Sequence, residues 1–222
     1  MRRPWLMAVV VLLLLFCGSA AAETWADALA RMPLKTAVTE LNRTNCVGLM
    51  LDSFQSNGVV KALIFMPGAT DEFYMFRRAK AHLASASPTL LDAVAGLTNQ
   101  TLIRATFKAP FLLLHTAEDP LEPDIRIKDV RTADRLKCTP FPARLKCNDR
   151  DWDYLQPQLK WRLKIDLRPW RFSEDSWHFY RHSFVADGLT EWETLEAAAY
   201  AGKSRFSVFR KRVVFEPDSR HP

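Results

Sequence analysis

The sequence lacks the short motifs that identify the commonest nucleophilic and nucleotide-binding sites. It contains no G-x-S-x-G elbow, no P-loop and no G-x-G-x-x-G fingerprint. The sequence therefore lacks the minimum parts of a nucleophile-elbow serine hydrolase, of a P-loop enzyme and of a Rossmann oxidoreductase. We expect no cofactor.

Glycine is also scarce, at 7 of 222 residues, whereas 48% of the residues are hydrophobic. This composition is typical of a folded globular protein with a core and excludes a disordered tail. The formal net charge is +6, of which Arg2 and Arg3 supply two charges. The rest of the chain is mildly basic, which suits an anionic envelope, lipid or glycan environment but does not single out nucleic acid.

The first 22 residues have the three parts of a cleavable export signal. A basic start is followed by an apolar run from Trp5 to Phe16 and by small residues up to Ala22. The apolar run is roughly a dozen residues, short of the ~20 that span a bilayer, although counting through Ala22 allows an uncleaved anchor. Lipidation of Cys17 is a minor alternative, because Phe16 precedes it where a small residue is the rule. We predict cleavage after Ala22 and a secreted or periplasmic protein. The protein would meet a membrane only if the signal is uncleaved. We expect no nucleic-acid partner.

Three cysteines remain after the predicted cleavage, in an oxidising compartment. Cys138 and Cys147 flank a proline-containing segment typical of a loop or bent hairpin, so we predict a disulfide between them. Cys46 opens an apolar run, where a buried, inert thiol is expected and an intermolecular disulfide or reactive thiol is the alternative. A pairing of Cys46 with either of the other two is left open.

An acidic, proline-containing segment from Glu118 to Asp124 separates two halves of different texture. Prolines at this spacing continue neither a helix nor a central strand, which indicates a domain edge. We predict an α+β fold, with an N-terminal α+β module at residues 23–119 and a small antiparallel β-rich module with one helix at 120–222.

Apolar spacing and turn residues predict the elements of the first module. The helices are expected at 33–44, from Asp71 to Leu83, and at 88–97 with Ser87 as its cap; the strands are expected at 47–52, 59–66, 101–107 and 110–116.

One helical pattern occurs twice in this module, as Leu34-x-x-Ala37-Val38-x-x-Leu41 and as Leu90-Leu91-Asp92-Ala93-Val94-x-x-Leu97, each time before a strand. With these motifs, residues 33–116 resemble the N-terminal signalling domain shared by secretins and some TonB-dependent receptors. The resemblance implies a periplasmic protein-interaction module without catalytic residues. Residues 71–84 would be an insertion relative to that family.

In the second module, residues 159–167 alternate strictly between apolar and charged side chains. This period of two predicts a strand with one face on a core and the other in water. Further strands are expected at 177–185 and 206–215. Between them, Thr190 and Glu193 form a capping box that starts a helix ending at Gly202.

The strand predicted at 159–167 would place Lys160, Arg162 and Lys164 on one face, with Arg168 and Arg171 beyond it. One interpretation is a solvated strand face over an aromatic core. The other is a platform for an anionic glycan, a lipid headgroup or an acidic envelope protein, because guanidinium groups bind anions bidentately and exposed indoles stack on flat ligands.

His178 and His182 are four residues apart, with Glu174 and Asp175 near enough in sequence to complete a metal site. Phe179 stands where the Glu of a helical H-E-x-x-H motif would be, so a solvated strand face is the competing interpretation. The sequence favours a non-enzymatic periplasmic or envelope binding or protein-interaction module. A secreted, metal-assisted hydrolase around His178 and His182 is the alternative.

Overall fold

The computed structural model describes residues 23–42, 44–66, 76, 78–116, 120, 122–169 and 181–218. The helices in this part of the chain are α1 (Trp25–Ala30), α2 (Cys46–Ser53), α3 (Leu90–Gln100), α4 (Val130–Cys138), α5 (Trp152–Leu163) and α6 (Glu191–Ala201). The strands are β1 (Glu40–Leu41), β2 (Ala62–Phe65), β3 (Ala81–His82), β4 (Arg104–Lys108), β5 (Phe111–His115), β6 (Ile125–Ile127), β7 (Leu145–Arg150), β8 (Asp166–Pro169), β9 (His182–Ala186), β10 (Ser204–Phe209) and β11 (Arg212–Pro217). Helices together with mixed sheets confirm the predicted α+β class.

The described strands form three sheets. The largest has five strands in the order β4-β5-β2-β9-β7, the next has four in the order β6-β10-β11-β8, and the smallest pairs β1 with β3. In the five-stranded sheet β2 is parallel to β5 and antiparallel to β9. In the four-stranded sheet the β10–β11 hairpin is flanked by β6 and β8, each in parallel pairing.

The five-stranded sheet joins the two halves that the sequence divided at residues 118–124. Its central strand β2 comes from the first half and pairs with β9 of the second, with Ala62 opposite Ala186. All four residues of β2 are apolar and buried. A strand of this kind has neighbouring strands on both edges and packed layers on both faces. The predicted division into two modules therefore differs from the structure. The second half also has three helices among its described residues, where one was expected.

Successive residues of β2 point to opposite faces of the sheet, and the hydrophobic core is divided accordingly. Ala62 and Ile64 pack with residues of α4, α5, α6 and the four-stranded sheet. Leu63 and Phe65 pack on the other face with residues of α1, α2 and α3. The five-stranded sheet is thus covered on both sides.

Several elements lie where local signals predicted them. Helix α6 begins at the Thr190 capping box, in which the Glu193 N–H donates to Thr190 Oγ1 at 3.1 Å, and it ends at Gly202. Strands β4 and β5 overlap the strands predicted at 101–107 and 110–116. Helix α3 also forms, but its cap is Thr89 and not Ser87, because Asp92 completes a capping box with Thr89.

The helix predicted at residues 33–44 was wrong. The chain here runs alongside the start of α3, where Pro33 forms an isolated bridge with Thr89 and the Leu34 N–H donates to the Pro88 carbonyl at 2.9 Å. It then enters β1. Of the two motif repeats behind the family resemblance, only the one at 90–97 lies on a helix.

The strand predicted at residues 47–52 was also wrong, since the chain forms α2 there. A short apolar run fits a buried strand and a buried helix equally well by pattern. The packing decides for the helix, in which Cys46, Met50 and Leu51 are buried at four- and five-residue spacing.

The strand predicted at residues 159–167 was wrong as well. Residues 152–163 form α5, which Asp151 caps by accepting the Tyr154 N–H at 3.1 Å. The helix ends where Lys164 takes a left-handed conformation, with φ 50°, and β8 follows. Leu159 and Leu163 fit both a two-residue and a four-residue repeat, but together with Trp152 and Leu155 they form the buried stripe of a helix.

Some predicted features lie outside the described residues. They are the signal peptide at 1–22, residues 71–75 and 77 of the helix predicted from Asp71 to Leu83, the candidate site residues Arg171, Glu174, Asp175 and His178, and the start of the strand at 177–185. The described end of that predicted helix contains β3, so the prediction was wrong there. Among the residues that the structure does describe, no helix has the length and hydrophobicity needed to cross a bilayer.

Candidate functional site

A groove of about 370 Å³ lies between α3 and β4. It is lined by Trp25 of α1, by Leu91, Val94, Ala95, Thr98 and Asn99 of α3, and by Ile103, Arg104 and Ala105 at and before the start of β4. Its wall is largely apolar, and Thr98, Asn99 and Arg104 supply polar groups. An apolar cleft with a few polar groups is the usual form of a binding site.

The aromatic end of the groove is built by Trp25, which stacks on Phe107 of β4 with ring centroids 6.5 Å apart and an angle of 27° between planes. Both rings are partly buried and pack against the core on this face of the sheet, as do Leu91 and Ala105. Leu102, between α3 and β4, is 71% exposed. Apolar surface therefore continues from the groove to solvent at this edge of the sheet.

Among the described strands, β4 is an edge strand of the five-stranded sheet. It pairs with β5 in antiparallel register, and no described strand pairs with its other side. An antiparallel strand with a single neighbour directs part of its backbone N–H and C=O groups away from that neighbour. The groove thus runs beside backbone groups that can accept a further strand.

Helix α3 is held firmly enough to form the second wall. Its first turn is closed by the capping box, in which the Thr89 N–H donates to Asp92 at 2.7 Å. Gly96 allows close contact with β3 and the residue after it, since a Cβ atom there would lie 3.0 Å from Leu83 Cδ2 and 3.4 Å from Ala81 Cβ. The face of α3 that lines the groove is consequently fixed by the packing of its opposite face.

The predicted basic stripe does not form, because its residues lie on a helix and its C-cap and not on a strand. Lys160 and Arg162 are in the last turn of α5, about 200° apart around the axis at ~100° per residue. The Lys160 Nζ lies 3.7 Å from Asp166 Oδ1, and Arg168 Nε lies 2.6 Å from Asp166 Oδ2. Arg162 donates to the carbonyl of Gln158 on its own helix, at 3.2 Å.

His182 is completely buried, which differs from the solvated strand face that was one of its two interpretations. Its Nδ1 lies 3.3 Å from the Arg150 carbonyl, and its ring lies 5.8 Å from that of Trp152. Burial lowers the pKa of His182 from 6.5 to about 4, so the ring is neutral at neutral pH. No group of three or more described His, Cys, Asp and Glu residues could hold a metal ion. His178, Glu174 and Asp175, the other candidate ligands, lie outside the described residues.

The three described cysteines are free thiols. Cys138 is exposed at the end of α4, whereas Cys147 is buried within β7, so the predicted disulfide is not formed in this structure. The expectation of a buried Cys46 is confirmed. Burial raises the pKa of both Cys46 and Cys147 to about 12, which keeps these thiols protonated and unreactive.

Helix α6 carries a half-buried carboxyl group whose protonation changes near neutral pH. Burial, together with the charges of Glu193 and Glu122, raises the pKa of Glu196 to about 7. Tyr200 follows one turn later, and its pKa is raised by burial and by the charges of Glu196 and Glu122. Lys108 donates to Glu122 at 2.9 Å. These contacts explain why Glu196 titrates near neutral pH. They do not, among the described residues, assemble a nucleophile or a set of metal ligands around it.

Sequence reasoning did not identify the groove, although eight of its nine lining residues lie between Leu91 and Ala105, because the way in which α3 and Trp25 pack beside β4 is not evident from the sequence pattern. Two signals pointed to it. Leu91 is apolar beside the buried stripe of α3, and Leu102 is a large apolar residue in a short connection. Comparisons of the chain with protein-family models, with curated proteins and with solved structures find no match.

Proposed function

We propose that this protein is a non-enzymatic binding protein that holds an extended segment of a partner protein between α3 and the edge strand β4. The observation that carries the proposal is the apolar groove lying directly beside an edge strand. In strand addition, backbone hydrogen bonds to the edge supply affinity, and pockets for alternate side chains supply specificity.

The geometry favours a peptide with an apolar side chain facing Trp25, Leu91 and Val94. A polar or acidic side chain beside it would face Thr98, Asn99 and Arg104. The compartment proposed for the partner follows from the predicted export signal, which would direct the protein to the periplasm or outside the cell. The resemblance of residues 33–116 to a signalling domain likewise implies an interaction module, and it stays a prediction.

A phage-displayed library of random peptides tests this function on the purified protein. We expect selected peptides to slow amide hydrogen exchange in β4, and N-methylation of alternate peptide bonds to abolish binding, because strand addition needs the peptide N–H groups. Ala95 lines the groove and is only half buried. Ala95→Phe should therefore fill the groove and abolish binding with little loss of stability.

Ala37→Phe is the matched control, since Ala37 is exposed and does not line the groove. Peptides that protect amides elsewhere, or that bind Ala95→Phe as well as the unaltered protein, would refute the groove as the site. Hydrolysis of cell-wall or ester substrates by the purified protein would refute the non-enzymatic assignment itself.

A further inference from the structure

The outer face of α5 carries two large, exposed aromatic side chains. Trp161 is 80% exposed and Tyr154 is 43% exposed. They are seven residues apart, which places them on the same side of the helix at a separation of about 10 Å along its axis. A solvent-exposed indole of this size is unusual on a monomeric surface and marks a contact site when polar groups surround it.

This face cannot turn into the protein. Its opposite side is the buried stripe of α5, in which Trp152, Leu155, Leu159 and Leu163 pack into the core. The helix is also capped at both ends, by the side chain of Asp151 and by Lys164, whose backbone is left-handed. Tyr154 and Trp161 are therefore presented outward by the fold itself.

Cations flank both aromatic residues. The Arg150 guanidinium lies over the Tyr154 ring, 4.9 Å from its centroid. Lys160 and Lys164 are exposed on either side of Trp161 in the sequence, and exposed Arg168 follows in β8. The acidic residues near them in the described part of the chain are Asp151, which caps the helix at the Tyr154 N–H, Asp153, which is exposed in the first turn, and Asp166, which contacts both Lys160 and Arg168. The four cations outnumber these three acids, so the described part of this face is net positive.

We propose that the outer face of α5, defined by Tyr154 and Trp161 with Arg150, Lys160, Lys164 and Arg168, docks on the surface of an anionic lipid bilayer. Tryptophan and tyrosine rings are preferred at the level of the headgroups, where one end of the ring is apolar and the other is hydrated. Lysine and arginine beside them are attracted to anionic headgroups. This proposal is independent of the groove between α3 and β4.

Vesicles of phosphatidylcholine mixed with phosphatidylglycerol, compared with phosphatidylcholine alone, test the proposal with the full chain. The difference in tryptophan emission between the unaltered protein and Trp161→Phe isolates the Trp161 indole. We expect this difference spectrum to shift to the blue with the anionic vesicles and not with the neutral ones. High salt should reverse the shift, because it screens the attraction. The readout is local, so binding through the apolar N-terminal residues does not produce it.

Vesicle flotation then measures affinity in variants. Removing two cations with Lys160→Gln and Lys164→Gln should weaken binding to anionic vesicles roughly 30-fold, about fivefold per charge. Trp161→Ala should weaken it about tenfold. Lys128→Gln with Arg131→Gln removes the same charge from exposed positions outside this face and should change binding much less. Circular dichroism and melting curves establish that each variant is folded.

Three results would overturn the proposal. The first is a Trp161 emission unchanged by anionic vesicles. The second is equal weakening by the α5 pair and by the control pair, which would show attraction by net charge alone. The third is a Trp161 shift produced by an anionic polysaccharide or an acidic protein but not by vesicles, which would assign the face to that partner class.

Discussion

A methyl group added at Gly202 would collide with a buried histidine. Its Cβ would lie 2.4 Å from His182 Nε2, 3.1 Å from Cδ2 and 3.2 Å from Cε1. The histidine cannot move aside easily, because it is completely buried and its other neighbours include the Trp152 ring. Gly202 itself has φ −99°, a conformation open to any residue, so the position needs glycine for space and not for backbone freedom.

We therefore expect Gly202→Ala to lower the free energy of unfolding by about 1–3 kcal/mol, the usual cost of overpacking a core. Without the collision, the same substitution would raise the free energy of unfolding by about 0.4–1 kcal/mol, since alanine reduces the entropy of the unfolded chain. The two cases predict opposite signs for the change in the free energy of unfolding, and urea unfolding monitored by circular dichroism measures that change directly.

Gly58→Ala is the matched control, because no atom lies within 4 Å of a Cβ built there. It should be neutral or slightly stabilising. His182→Ala should remove the collision partner, so the effects of Gly202→Ala and His182→Ala should be clearly non-additive. A Gly202→Ala variant as stable as the unaltered protein, or additive effects in the double variant, would refute this account.

Three further predictions follow from the buried and titrating groups. Because burial lowers the pKa of His182 from 6.5 to about 4, the contribution of His182 to the free energy of unfolding should be complete above pH 6.5 and fall by about 1.4 kcal/mol per pH unit as the pH falls toward 4. Because burial and neighbouring carboxylates raise the pKa of Glu196 from 4.5 to about 7, the contribution of Glu196 should fall as the pH rises through that window, and Glu196→Gln should stabilise the protein above it but not below pH 4.5. The two slopes oppose each other between pH 4.5 and 6.5, so urea unfolding must compare the unaltered protein with His182→Gln and with Glu196→Gln; a variant with the same pH dependence as the unaltered protein would contradict the prediction for that residue. Cys138 should react with a thiol reagent in the native protein and Cys46 and Cys147 only after unfolding; a native protein without free thiols at Cys138 and Cys147 would restore the predicted disulfide.

The elements predicted correctly are those whose signals are local. The capping box of Thr190 and Glu193 defines the start of α6 within four residues of chain, and the turn between β4 and β5 follows from a proline and its neighbours. In such cases the residues that form the structure are adjacent in sequence, and their interactions are nearly the same in any surrounding fold.

The errors arose where two local structures fit the same residues. Residues 159–167 alternate as a strand would, and the buried residues of α5 repeat as a helix would, with Leu159 and Leu163 common to both patterns. The choice between strand and helix depends on which other apolar side chains are buried together with Leu159 and Leu163, and in the structure these are Trp152 and Leu155. That core is supplied by segments far away in the chain.

The sequence by itself determined the α+β class, the positions of α3, of α6 and of the β4–β5 pair, and an apolar content sufficient for a core. Only the tertiary structure decided that β2 pairs with β9, more than a hundred residues away, and so united the two predicted modules in one sheet. Tertiary packing likewise brings Trp25 to the groove between α3 and β4, and it gives the buried stripe of α5 a core supplied by distant segments, which leaves the other face of that helix outside. Long-range partners are selected by the burial of complementary surfaces, and no short stretch of sequence contains both surfaces.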